Sequence, residues 1–318
     1  HQPQDPLQPP QGLPQGVNTK PLPRWLGVSL LLLIAAAFAS NHISARIAFD
    51  HGTNVTTAVA VRSCATVLFV LALLRHAGVV PRMPRPTLRR AAAIGLLMSV
   101  QSLCLYSAVA RIPVALALLA FNTFPLLLGL ISWAAGAQRP SSRALVAMPI
   151  ALAGLALALD AAGWATPAGA ARPVPPAAMA AGVAFALTGA TAFAGALFFT
   201  TRWLDTTDGR LRTLVLMMVV AVVAIAAGLV DGHFDWPRDT AGWLALAALS
   251  VLYGSGITGL FVLLPRIGAV NNAAVMNAEP IIALFLGWVV LDQRVAPIQV
   301  AGAFVVIGAI VMLTTGRR

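Results

Sequence analysis

Charge is what this 318-residue sequence has least of. Asp, Glu, Lys and Arg together make up 10% of it, where a soluble domain carries about 25%. That shortage excludes a water-exposed surface over most of the chain. Cysteine is almost missing as well. Cys64 and Cys104 are the two present, each inside an apolar run, so a disulfide framework is excluded and free thiols packing as small apolar groups are expected. No His, Cys or carboxylate grouping has metal-ligand spacing, and no metal or other cofactor is expected. No Gly-Lys-Ser/Thr loop is available to cradle a nucleotide phosphate, which argues against ATP drive. A His-Glu-x-x-His pattern is absent too, and no Ser or Cys is paired with an evident base. Catalysis therefore has no visible seat.

What the sequence has in quantity is apolar residues, 59% of the total, and they come in blocks. A helix needs about 20 mostly apolar residues to cross the hydrocarbon core. Ten such segments fit between the punctuating charges, glycines and prolines: 25–48, 54–75, 89–110, 114–136, 143–161, 177–202, 211–231, 241–264, 269–291 and 297–315. The runs are continuous and rich in Ala and Leu, unlike the alternating ten-residue strands of a membrane barrel. The fold class is all-α integral membrane. The first run is expected to be a span rather than a cleaved signal, because nine more follow and no clear cleavage site ends it. Residues 1–24 read as a disordered cytoplasmic tail, rich in Gln, Pro and Gly at its start.

Lys and Arg outnumber Asp and Glu by 21 to 10. Their placement argues against a nucleic-acid footprint. With the N-terminus in the cytoplasm, fifteen of the 21 fall on that side: Lys20, Arg24, Arg75, Arg82, Arg85, Arg89, Arg90, Arg139, Arg143, Arg202, Arg210, Arg212, Arg266, Arg317 and Arg318. Four fall opposite, at Arg111, Arg172, Arg238 and Arg294, and Arg46 and Arg62 lie within spans. That split is a positive-inside signal in a cell or inner membrane. Ten spans put both termini in the cytoplasm.

The chain also overlays itself at an offset of 155 residues. Arg111-Ile112 falls on Arg266-Ile267, Asn122 on Asn277, Pro125 on Pro280, Trp133 on Trp288, Gln138-Arg139 on Gln293-Arg294, and Asp50 on Asp205. Rare residues coinciding without a gap mark a duplication, with units at 25–161 and 177–315 joined by an outer loop at 162–176. Five spans per unit is an odd number, so the second unit enters the membrane from the opposite side. Inverted repeats of this kind build many secondary transporters and place the binding site at the repeat interface. Trp133 and Trp288 are expected at the inner and outer interfaces respectively.

Residues 111–140, RIPVALALLAFNTFPLLLGLISWAAGAQRP, and 266–310, RIGAVNNAAVMNAEPIIALFLGWVVLDQRVAPIQVAGAFVVIGAI, carry a resemblance. So do SARIAFDHG at the end of the first span, Arg62 in the second, and the spacing of Gln299, Gly302 and Gly308 in the last. Over residues 25–315 the chain resembles EamA-type transporters of the drug/metabolite transporter superfamily. It departs at LDQR, where the family usually reads leucine-glycine-glutamate-arginine. The resemblance implies ten helices in two inverted five-helix repeats, carrying amino acids or other small metabolites by alternating access, export before uptake. The implied partners are the lipid bilayer, a small-molecule substrate and, as a candidate coupling ion, the proton; an oligomer is not required. An intramembrane enzyme or a non-transporting receptor scaffold is the rival class.

Polar groups in hydrocarbon are expensive, so each needs a reason. Asn122 and Asn277 each precede a proline by three residues, and Pro125 and Pro280 are expected to free the carbonyls of Phe121 and Met276. Substrate lining and local helix bonding are both open to them. Glu279 is the one carboxylate deep in a span, with pore, proton-carrying, Arg62-pairing and purely structural roles open. Arg46 and Arg62 are expected either to snorkel to the outer interface or to bind a substrate carboxylate as a pair. Asn41 and His42, near Arg46, and Gln101 and Tyr106 in the third span complete the candidate cavity. Gly182, Gly189, Gly195, Gly254 and Gly259 are expected to let helices pack closely.

Overall fold

A computed structural model of the chain describes residues 24–136, 142–158, 174–267, 278–293 and 296–315. Those residues form eleven helices: α1 (Arg24–Asp50), α2 (Val55–His76), α3 (Arg85–Arg111), α4 (Val114–Phe121), α5 (Phe124–Ala134), α6 (Ser142–Ala158), α7 (Pro176–Trp203), α8 (Gly209–Asp231), α9 (Thr240–Ile267), α10 (Glu279–Leu291) and α11 (Pro297–Thr315). Seven helical stretches are long and apolar enough to cross a membrane, with α4 and α5 together making one of them, and shorter apolar helices lie at Pro149–Ala158, Glu279–Leu291 and Pro297–Ala309.

The helix ends follow local chemistry. The Asn54 side chain accepts from the Thr57 N–H and starts α2, while the Asp208 carboxylate accepts from the Arg210 N–H and starts α8, each satisfying a donor that has no intrahelical partner. Asp208 is held below the usual carboxylate range chiefly by its hydrogen bond from the Arg210 side chain. Gly78, Gly136 and Gly232 lie just past α2, α5 and α8 with positive φ, the conformation in which helices commonly stop. Asp292 does the same after α10 with φ 49 and is the one non-glycine residue in that region of φ among the described residues.

Pro125 and Pro280 stand at the first turns of α5 and α10, where a missing N–H costs nothing, and Pro125 begins a new helix rather than kinking a continuous one. The fourth crossing instead stops at Phe121 and restarts at Phe124. The Asn122 side chain donates to the Leu118 carbonyl at 2.8 Å and the Thr123 hydroxyl to the Ala120 carbonyl at 2.7 Å, closing the end of α4.

The duplication is visible in the helix register. Arg85 and Thr240, Phe124 and Glu279, and Ser142 and Pro297 begin matching helices, each pair 155 residues apart. Packing repeats across the two halves: α1 lies on α9 as α7 lies on α3, α1 meets α10 as α7 meets α5, α2 crosses α8, and α6 pairs with α11. The two halves therefore exchange partners about a pseudo-two-fold axis. Lipid offers no hydrophobic drive between helices, so close approach through small residues has to supply the attraction. Alanines 35, 39, 45 and 48 of α1 are fully buried, and a Cβ on Gly302 would meet the Gly154 carbonyl at 2.6 Å. Cys64 and Cys104 are free thiols, half-buried rather than enclosed.

The α1–α2 turn and the α8–α9 connection share one end of the molecule, since Asn54 N–H donates to the Asp235 carbonyl and Arg238 N–H to the His51 carbonyl. The charge distribution predicts that this end is extracellular and the α2–α3 connection cytoplasmic. With Cys64 and Cys104 replaced, single cysteines at Arg85 and His233 should separate under a membrane-impermeant thiol reagent on intact cells. Labelling is expected at position 233 and not at 85; the reverse pattern overturns the orientation.

Candidate functional site

Most of the polar residues singled out from the sequence meet at one place. Arg62 of α2 is 3% exposed. Its guanidinium carbon lies over two rings, 4.6 Å from the centroid of Tyr106 and 3.9 Å from that of Tyr253. These are the only two tyrosines in the chain, one on the third helix of each repeat. Arg62 Nη2 donates to the Ser102 hydroxyl at 2.9 Å, and Ser102 in turn donates to Gln101 Oε1 at 3.2 Å. Ser102 and Tyr106 are four residues apart and so share a face of α3. The Tyr106 hydroxyl donates to Asn41 Oδ1 at 2.9 Å, and that of Tyr253 donates to the Met217 sulfur at 3.8 Å.

Next to Asn41, His42 meets the Tyr106 ring edge-on at 5.8 Å. Its Nε2 lies 3.5 Å from Glu279 Oε1. Glu279 opens α10, so the carboxylate stands at the positive end of that helix. The pair is a place for one proton to be held between an imidazole and a carboxylate. Three buried polar atoms in this cluster have no hydrogen-bond partner among the described residues: Asn41 Nδ2, His42 Nδ1 and Arg62 Nε. Buried polar atoms of that kind are uncommon and each asks for an explanation.

Thus α1, α2, α3 and α10 bring together Asn41, His42, Arg62, Gln101, Tyr106 and Glu279, and α9 adds Tyr253. The expectation that Arg62 snorkels to the interface is corrected: its head turns inward onto Ser102 and the tyrosines. No close Arg62–Glu279 pair is formed either; the Glu279 carboxyl lies beside His42 instead. Arg46 stands apart from the cluster. It binds Asp50 at 3.1 Å and donates to the carbonyls of Val109 and Ile112 at 3.0 and 3.4 Å, tying α1 to the end of α3. Arg46 and Arg62 therefore have no common partner, which corrects the reading of them as a pair. Asn122 is buried with its amide bonded to its own helix, and Asn277 lies outside the described residues. Tyr253 and Ser102 were missed. Tyrosine's rarity in the chain was the available signal; a serine in an apolar run gives none.

The seam between the halves is not symmetric. At the end carrying the α1–α2 turn and the α8–α9 connection, His51 Nδ1 contacts Asp239 Oδ2 at 2.6 Å, beside the two backbone bonds that join the same loops. The Gly242 N–H and the His51 ring hold Asp239 below the usual carboxylate range. The matching loops at the other end, 77–84 and 204–208, have no hydrogen bond or ion pair between them among the described residues. Near them Val79 and Leu211 pack on Val70, Leu74 and Leu214.

Comparison with known proteins decides the family. The model of the EamA-like transporter family matches twice, over residues 25–159 and 180–315. The chain belongs to the EamA-like transporter family. It is accordingly a multi-pass membrane transporter of the drug/metabolite transporter superfamily. This EamA-like chain also matches a solved crystal structure with a TM-score of 0.62 at 17% identity, over 91% of this chain and 96% of the other; at that identity the likeness is one of fold. No curated protein matches it in sequence.

Tyr106→Phe tests how this EamA-like chain holds its cluster. The substitution keeps the ring against Arg62 but removes the bond to Asn41, leaving that buried amide with no partner. A loss of about 1 kcal/mol is expected, within the range for interhelical polar contacts in membranes. Tyr106→Leu should cost about 2 kcal/mol more, through lost cation–π attraction and packing. Unfolding of the purified protein in detergent measures both, and equal losses for the two variants would remove the ring from the account.

Proposed function

We propose that the protein is a secondary carrier that moves a small polar metabolite across the plasma membrane by alternating access, in the direction of export. The observation that carries this reading is the polar cluster around Arg62, which sits where helices of both repeats converge and holds buried donors without partners. A binding site between two inverted repeats can face either side in turn, because tilting one half against the other opens one seam and closes its counterpart. The asymmetric seam supports that reading: tied at the end assigned as outer, it suits a carrier closed to the outside. The Asp239 carboxylate remains ionised at neutral pH. Its part of the tie persists above the ordinary carboxylate range and is lost only as pH falls through the depressed value.

In this reading Asn41, Arg62, Gln101 and Tyr106 meet the solute. Glu279 and His42 hold the proton that couples its movement to the proton gradient. Asn122 and Arg46 serve the scaffold, one closing a broken helix and the other fastening α1 to α3. The whole set lies within spans, so water reaches it only when one seam parts.

Flux through proteoliposomes carrying the purified protein tests the proposal, first with a mixed pool of small metabolites and then with the solute found. Glu279→Gln keeps the size of the side chain and cannot release a proton. It should abolish accumulation driven by an imposed pH gradient while exchange of labelled for unlabelled solute continues. Gradient-driven transport at the wild-type rate would remove Glu279 from coupling. Chemical turnover of a solute without flux would replace the carrier with an enzyme.

A further inference from the structure

We infer that the solute carries a carboxylate, bound by Arg62 between Tyr106 and Tyr253. This inference rests on the carrier reading of the same cluster. It begins with a charge that is not balanced locally. Arginine stays protonated in proteins, and a buried charge without a partner is costly. Among the described residues no carboxylate lies within 4.0 Å of Arg62; the carboxyl groups of Glu279, Asp50, Asp239, Asp208 and Asp235 lie against His42, Arg46, His51, Arg210 and His233 instead. Glu279 is the only glutamate in the chain, and residues 268–277, just before it, include no Asp or Glu; Asp5 and Asp160 lie outside the described residues.

The guanidinium lies over the rings of Tyr106 and Tyr253, and what it offers a further partner is its edge of N–H donors. On that edge Nη2 is bonded to Ser102 and Nε has no partner. Nε forms one arm of the fork that grips a carboxylate side-on. A planar two-oxygen acceptor matches that edge of donors. Asn41 Nδ2 supplies a second donor without a partner from the neighbouring helix. An ammonium group would meet Arg62 as a like charge, and a neutral amide would leave its charge unanswered.

The test compares matched probes that differ only in the head group. Benzoate, phenylacetate and 3-phenylpropionate are set against the corresponding primary amides and primary amines, using the full chain in detergent for binding and in liposomes for flux. Carboxylates should raise the unfolding midpoint saturably and be carried into liposomes. Amides and amines should bind at least roughly tenfold more weakly, as expected when a charge-assisted bond is lost. Arg62→Gln should erase the preference, with its own unfolding midpoint reporting whether it has folded. Arg62→Lys, which keeps the charge without the fork, should retain the preference at reduced affinity. If amides or amines are bound or carried as well as carboxylates, or if a folded Arg62→Gln keeps the preference, the carboxylate inference falls and the carrier reading stands. If no probe of any class binds or is carried, both fall together.

Discussion

The structure is organised by the cost of one cation in hydrocarbon. An arginine inside a span must reach water, find an anion or be wrapped in polarisable groups. Arg62 takes the third course, with two aromatic faces and a hydroxyl. That choice fixes its neighbours. Tyr106 must be oriented, which its bond to Asn41 achieves. Tyr253 must come from the other repeat, which brings α9 against α2. Gly254 follows Tyr253, and a Cβ there would still be 3.9 Å from the Thr66 hydroxyl, so nothing bulky separates the two helices at this level. A cation that could have been a defect thus becomes the point at which four helices are held in register.

The same wrapping limits what the site can do. With two rings beside it, the guanidinium meets polar groups through its N–H edge. The hydroxyl of Ser102 accepts from Arg62 while donating to Gln101, so each bond polarises the next. Glu279 belongs to a different layer. It enters with α10, a helix whose beginning coincides with that of α5 in the other repeat, where the corresponding residue is Phe124. Duplication therefore supplied the same backbone twice, and only one copy received a carboxylate. Function in such folds resides in the departures from symmetry, because identical halves would give the two faces identical chemistry.

Much of the scaffold could be read from the sequence and little of the site's orientation could. The spans are legible because apolar runs of membrane length have few alternative uses, and the repeat because rare residues such as Trp133 and Trp288 coincide. Helix rotation is not legible in an all-apolar run. Polar residues mark the face of a soluble helix, but α2 is apolar on every side apart from a few polar groups, so nothing said whether Arg62 pointed to lipid or to the core. The break between α4 and α5 was hidden for a related reason. Pro125 is compatible with a kink and with a fresh start, and the choice depends on Asn122 and Thr123 closing the preceding turn. The family's usual glycine after Leu291 becomes intelligible only from the backbone: the position has positive φ, which Asp tolerates better than most residues because its short side chain bonds locally.

The two ionic sites must also be kept apart. A direct Arg62–Glu279 pair would neutralise both groups in the empty protein, and a solute would then have to compete with an ion pair already strengthened by low dielectric. Placing His42 against Glu279, and Tyr106 between His42 and Arg62, prevents that collapse. The imidazole gives the carboxylate a partner with which to share a proton, and the Tyr106 ring contacts both the cation and, at a steep interplanar angle, the histidine. Each charge is thus stabilised without being quenched by the other. Asn41 fixes this partition, since its bond to the Tyr106 hydroxyl sets the angle of the ring that stands between them.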